Sequence, residues 1–298
     1  VSRAWTEQTE RGSATALMII RWLALHLGRG LTRLLLYPIT AYYLLRATAS
    51  HAHSRNYLRR VLGREPGWLD MARHIYCFAA TILDRVFLLA GRDGLFDVHV
   101  HNENILLGQV RSGKGCLLLG SHLGSFEVLR ALGLQWHDLP LKILMYPEHN
   151  QTITRLLMSL NPAVADTVIP LGRHDTLLQV HEAVTHGQLV GMLGDRVAES
   201  AKTTTCDFLG GQAEFPLGPM LMAAALKVPV ILFFGLYSGG NRYDIHFEVL
   251  TDGIDVPRGE REAEVQRLTQ EYASRLEHYA RLAPYNWFNF YDYWKRGS

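Results

Sequence analysis

Cysteine is scarce in this sequence. Its 298 residues hold three, Cys77, Cys116 and Cys206, far apart and with no CxxC pair. An odd count at such spacing suits no disulfide framework and reads as reduced, buried thiols in a cytosolic setting. Excess charge is lacking too: 30 Lys and Arg against 28 Asp and Glu leave a net +2. That balance argues against a dedicated nucleic-acid binder. No internal repeat and no low-complexity linker occurs. The GxSxG turn of the lipase nucleophile is absent. Gly108 to Gly115, GQVRSGKG, lacks the final Ser or Thr of a phosphate loop and precedes a strand instead of following one, so nucleotide binding is rejected. The amino terminus starts polar, with Glu7 and Glu10, and shows no cleavage site after its apolar stretch. No secretory signal is expected there.

An uninterrupted membrane-spanning run is also missing. Residues 14 to 47 are strongly apolar, but Arg21, Arg29 and Arg33 break them up. A mid-bilayer Arg costs roughly 2.5–3.5 kcal/mol, while each large apolar residue returns about 0.3–0.6. A simple spanning helix is therefore disfavoured. Arg21, His26, Arg29 and Arg33 fall within an arc of about 140° at helical spacing. The pattern predicts a helix lying in a membrane interface, with its basic side chains toward anionic headgroups. A core helix with a solvated stripe is the alternative. Tyr37-Pro38 is expected to break or kink the segment. Arg55, Arg59, Arg60 and Arg64 form a second basic cluster, fitted to phosphate groups, to an acidic carrier protein, or simply to solvent. Residues 67 to 90 read as a long, largely apolar helix.

What the chain does have is 48% hydrophobic residues and, from about residue 97, short apolar runs alternating with helical stretches. Strands are predicted at 97–101, 115–120, 141–146, 164–169, 188–193, 229–237 and 243–250. Helices are predicted at 103–112, 124–136, 150–160, 174–186, 217–227 and 258–282. Alternation of this kind predicts an α/β fold, a mostly parallel mixed central sheet flanked by helices. Residues 1–95 are expected to form an N-terminal helical, membrane-interfacial region, and 96–298 an α/β domain packed with it as one unit.

The densest chemical signal is Gly120-Ser121-His122-Leu123-Gly124-Ser125-Phe126-Glu127. It places His122 where a buried strand hands over to a helix, with Glu127 in that helix's first turn. A histidine titrates near neutral pH and can take and return a proton. A neighbouring carboxylate can fix its tautomer. Amides at a helix start suit an oxyanion. The same pair also occurs as an ordinary cap. Gly194-Asp195-Arg196 closes another predicted strand, where open α/β sheets place ligands; a structural ion pair is the plain alternative. Phe208 to Pro219, FLGGQAEFPLGP, reads as a shaped loop before a helix, with Gly218 and Pro219 in its first turn. His51/His53 and His99/His101 read as surface histidines, so no metal site is expected. The aromatic end, Tyr285 to Trp294, YNWFNFYDYW, is expected to close the core and in part to reach the interface.

Taken in order, these blocks resemble the bacterial lipid A secondary acyltransferases, within the lysophospholipid acyltransferase superfamily, over about residues 20 to 294. The markers are His122-xxxx-Glu127, Gly194-Asp195-Arg196, FLGGQAEFPLGP and WFNFYDYW. The resemblance implies transfer of a fatty acyl chain from an acyl carrier protein or coenzyme A thioester to a membrane lipid acceptor. It implies no further cofactor and a peripheral or N-terminally anchored place on the cytoplasmic face of a bacterial inner membrane, against an anionic surface. His122 would be the general base and Glu127 its partner. Gly124, Ser125, Asp195, Arg196 and Gly218 would bind substrate. Pro147 stands after Tyr146 where lipid A enzymes tend to carry arginine, so a different hydroxylated or aminated lipid acceptor fits as well. Two other functions compete: a non-catalytic lipid-binding or carrier-docking protein, and a hydrolase using a serine near His122.

Overall fold

A computed structural model describes residues 14–46, 48–129, 139–146, 166–198 and 201–294. Four helices come first: α1 (Ala14–Leu34), α2 (Leu36–Arg46), α3 (Thr48–Leu62) and α4 (Trp68–Leu89). Strand β1 (Asp97–His101) and helix α5 (Glu103–Arg111) lead to β2 (Cys116–Gly120). Then come β3 (Leu141–Met145), β4 (Val168–Pro170), α6 (Thr176–Thr185) and β5 (Leu189–Leu193). A hairpin, β6 (Thr203–Phe208) and β7 (Gly211–Pro216), precedes α7 (Gly218–Leu226), β8 (Val230–Gly239), β9 (Arg242–Thr251) and α8 (Arg261–Leu282).

Seven strands make one sheet in the order β1-β9-β8-β2-β5-β3-β4. Every pairing is parallel except β8 with β9. The predicted α/β class with a mostly parallel mixed sheet is what the chain adopts. β2 lies in the middle and is buried at all five positions, as a strand covered on both faces must be. Its apolar run has no alternation for that reason. Of the predicted helix over 124–136, residues 124–129 are described and only 127–129 are helical; the one over 150–160 lies outside the described residues, as does Pro147.

Phe208 to Pro219 is not a loop, contrary to the sequence expectation. β6 and β7 pair antiparallel around Leu209-Gly210, whose φ values are 49° and 70°. A two-residue turn with both φ positive matches the right-handed twist of its strands. Glycine accepts that geometry freely. Leu209 does so against its side-chain preference, with its amide donating to the Glu277 carboxylate on α8. Pro219 does sit in the first turn of α7, as expected.

The N-terminal helices also correct an expectation. Arg29 and Arg33 of α1 do not face outward. Arg29 makes two hydrogen bonds to Asp84, at 2.8 and 2.9 Å, and Asp84 is fully buried on α4. Tyr243 on β9 donates to the same carboxylate at 2.9 Å, and Arg33 donates to Tyr237 on β8 at 2.6 Å. The apolar side chains point the other way: Trp22, Leu27, Leu31, Leu34, Leu35, Tyr42 and Leu45 are exposed. A periodicity argument identifies a basic stripe but not which way it turns. A buried carboxylate on α4 turns it inward. The break comes at Gly28, φ 78°, and at Leu35, not at Tyr37-Pro38. Pro38 lies in the first turn of α2, where its missing amide leaves no helix bond unmade. No helix among the described residues is long and apolar enough to cross a membrane.

The second basic cluster is largely paired within the chain. Arg59 meets Glu65, Arg64 meets Asp70, and Arg60 lies over Trp294 while donating to the Leu209 carbonyl. The aromatic end closes the core: Trp287 is fully buried among Tyr57, Phe208 and Tyr293.

Candidate active site

β2 and β5 run side by side in parallel, with Gly120 opposite Leu193 at their carboxyl ends. Two residues further on each chain stand His122 and Asp195. The 73-residue offset of the strand register carries on past the strand ends and brings them together. Asp195 Oδ1 lies 2.8 Å from His122 Nδ1, and Oδ2 accepts the His122 amide at 3.0 Å. Trp287 Nε1 donates to Oδ2 at 2.9 Å, and Tyr293 donates to the Asp195 carbonyl at the same distance. Asp195 is 1% exposed. The aromatic tail thus serves the site as well as the core.

The electrostatics follow from these contacts. Burial alone would raise the Asp195 pKa, but His122, Arg196 and the Trp287 indole outweigh it and hold the carboxyl down at about 2. Burial, with Arg196 adding to it, holds His122 below the ordinary histidine value of 6.5, and Asp195 pulling upward does not offset them. The imidazole is therefore neutral at pH 7. A carboxylate only accepts, so the single ring proton sits on Nδ1 and Nε2 keeps its lone pair. That is the form a general base requires.

The turn carrying His122 is fixed from both sides. Gly124 donates to the Asn286 carbonyl at 2.9 Å, and Ser125 to the Gly235 carbonyl at 2.8 Å. Phe288 donates to the His122 carbonyl at 2.9 Å. Gly124 has φ 70°, and a Cβ there would stand 1.9 Å from the Gly235 oxygen. Only glycine fits. Since both amides are occupied, Gly124 and Ser125 are not the oxyanion donors that a helix start would supply. Arg196, bonded through Nη2 to the Phe288 carbonyl at 3.1 Å, is held by the same tail.

Glu127 stands in the first turn after this loop, but its partner is not His122. Its Oε1 lies 2.9 Å from Arg85 Nε, on α4. Its Oε2 is buried without a hydrogen-bond partner among the described residues. Ser121 and Ser125 are buried too, and neither hydroxyl has a partner there. Gly218 opens α7, and the neighbouring Pro219 packs where a Cβ on Gly194 would fall. The structure therefore brings His122, Asp195 and Arg196 together, with α7's first turn beside Gly194. Sequence reasoning missed Asp195 as the imidazole's partner, although each residue stands two places past a predicted strand end.

Two cavities lie elsewhere. One of about 330 Å³ sits at the α1 kink beside Arg29, and one of about 640 Å³ lies between the hairpin and α8; His122 lines neither. Beside His122 the surface is aromatic instead: Phe288 packs on Phe78, which packs on Phe290, and Phe78 is 38% exposed. The histidine pairs are ordinary surface contacts, His99 to Asp97 at 3.0 Å and His101 to Asp244 at 3.4 Å. His51 Nε2 meets the Tyr43 carbonyl at 3.1 Å.

Comparison with curated proteins found no match. The family model for bacterial lipid A biosynthesis acyltransferases matches residues 95–296, from before β1 to the end of the aromatic tail. With His122 on its strand-end turn inside that span, the chain belongs to the bacterial lipid A biosynthesis acyltransferase family.

Proposed function

We propose that this chain moves a fatty acyl group from an acyl thioester, on acyl carrier protein or coenzyme A, to a hydroxyl or amine of a membrane lipid. The observation that carries the reading is the His122 imidazole fixed through Nδ1 by a buried carboxylate, in a chain of this family. His122 Nε2 takes the acceptor's proton as its oxygen or nitrogen attacks the thioester carbonyl. The tetrahedral intermediate collapses, the C–S bond breaks, and the proton passes to the departing thiolate. A positioned base contributes about 10²–10⁴-fold. Asp195 is a positioning residue: it holds the ring and stabilises the imidazolium that forms. Arg196 is the candidate donor to the oxyanion, an interaction whose loss typically costs about 10²–10³-fold.

The apolar surface around Phe78, Phe288 and Phe290 is the proposed start of the acyl-chain path, where each buried methylene contributes about 0.8 kcal/mol. The outward apolar side chains of α1 and α2 support docking on the cytoplasmic face of the inner membrane. With Arg29 and Arg33 turned inward, apolar insertion and not headgroup charge supplies the affinity. The serine hydrolase reading gains no support, since neither neighbouring hydroxyl bonds the imidazole.

The test supplies radiolabelled palmitoyl thioesters of both carriers with total bacterial membrane lipid, for wild type and H122A. Label should enter lipid with wild type alone. Transfer by H122A at the wild-type rate rejects the assignment.

A further inference from the structure

We propose that Arg85 is a positioning residue of this site, clamping the Glu127 carboxylate at the catalytic turn so that the pair, with Asp195, fixes the charge felt by the His122 imidazole. The inference rests on reading His122 as the general base. It begins from the contacts of Glu127. With Nδ1 held by Asp195, the motif's carboxylate is left to another partner: Arg85 Nε lies 2.9 Å from its Oε1 as an ion pair, without the geometry of a hydrogen bond. Both side chains are mostly buried, 26% and 16% exposed. Oε2 has no hydrogen bond among the described residues. A mostly buried carboxylate with one ion-pair partner among the described residues depends on that counter-ion to remain where it is.

Arg85 can hold that position because its helix is anchored one residue earlier. Asp84 is fully buried and bonded by Arg29 and Tyr243, so α4 is tied to α1 on one side and to β9 on the other. Among the described residues, the charged groups acting on His122 are Asp195 and Arg196 from the loop after β5 and Arg85 from α4, and Arg85 acts to weaken proton binding. Beside its arginine, the Glu127 charge is neutralised. Without Arg85, a positive charge that weakens proton binding is gone and the carboxylate of the same turn is uncompensated, so the imidazole keeps its proton to higher pH.

The opposite signs of two substitutions provide the test. In intact protein, the ¹⁵N titration of His122 and the acid limb of acyl transfer are followed together, with radiolabelled palmitoyl thioester and total bacterial membrane lipid. R85M should raise the His122 midpoint by about 0.5–1 pH unit. E127Q, which leaves the arginine alone, should lower it. R85K should restore the wild-type midpoint, and R85M/E127Q should fall between the two single variants. Should R85M not fold, E127Q and R85K still decide. A His122 midpoint unmoved in E127Q, or R85K behaving as R85M, overturns the proposal. H122A separates the two levels. If it is inactive while the midpoints do not move, only the role of Arg85 falls; if it is active, both fall.

Discussion

Asp195 reaches His122 with both oxygens, Oδ1 to the ring nitrogen Nδ1 at 2.8 Å and Oδ2 to the main-chain amide at 3.0 Å. One carboxylate thus fixes the tautomer of the imidazole and the path of the loop that carries it. The consequences for activity and for stability can be tested separately.

D195N keeps the shape of the side chain and removes its charge. The amide no longer dictates an Nδ1 proton, and the imidazolium loses its counter-ion. We expect acyl transfer to fall by up to about 10⁴-fold with the donor's KM little altered. Steady-state kinetics with a palmitoyl thioester would show this; a variant with the wild-type rate would contradict the orienting role.

The pH dependence has two windows. Asp195 is held at about 2 in the folded chain against an ordinary 3.8. A depressed carboxylate gives its stabilisation fully above the unfolded value and loses it as pH falls through the folded one. The difference in melting temperature between wild type and D195N should therefore shrink between about pH 4 and pH 2, a contribution on the order of 2 kcal/mol. His122 is held below 6.5, so the acid limb of activity should lie below the ordinary histidine range. An acid limb at or above pH 6.5 would mean that another group is titrating.

G124A should unfold or inactivate the protein. The new methyl would meet the Gly235 oxygen at 1.9 Å, with φ at 70°. Strain in the left-handed region costs about 1–3 kcal/mol before the clash is counted. Thermal melting and near-ultraviolet circular dichroism report it directly, and an unchanged melt would show that the two backbones can part.

D84A should release the N-terminal layer. It leaves Arg29 without its carboxylate and Tyr243 without its acceptor, both in partly or fully buried surroundings. Removing one partner of such a pair costs about 3–5 kcal/mol. Denaturant unfolding should show that loss, and hydrogen exchange should rise in α1 and α4 before the central strands.

Vesicle binding should depend on grease more than on salt. Leu31, Leu34 and Leu35 are exposed while Arg29 and Arg33 are bound internally. Flotation with liposomes should persist at high ionic strength and weaken in a triple Leu→Ser variant. Binding abolished by salt alone would restore the electrostatic reading.

The sequence by itself determined the α/β class, since unbroken buried runs alternating with helical periodicity leave a parallel sheet few alternatives. It also drew attention to His122, which stands on a glycine-flanked turn where a buried strand ends, although an ordinary cap would read the same. Strand register, which side of α1 faces inward, and the partner of the imidazole were decided only by the tertiary structure. Each depends on contacts between distant segments: Cys116 against Leu189 sets Asp195 beside His122, Asp84 turns Arg29 and Arg33 away from solvent, and Arg85 reaches Glu127 from another helix. Local spacing fixes which residues share a face, but a face acquires its meaning only from what the rest of the chain lays against it.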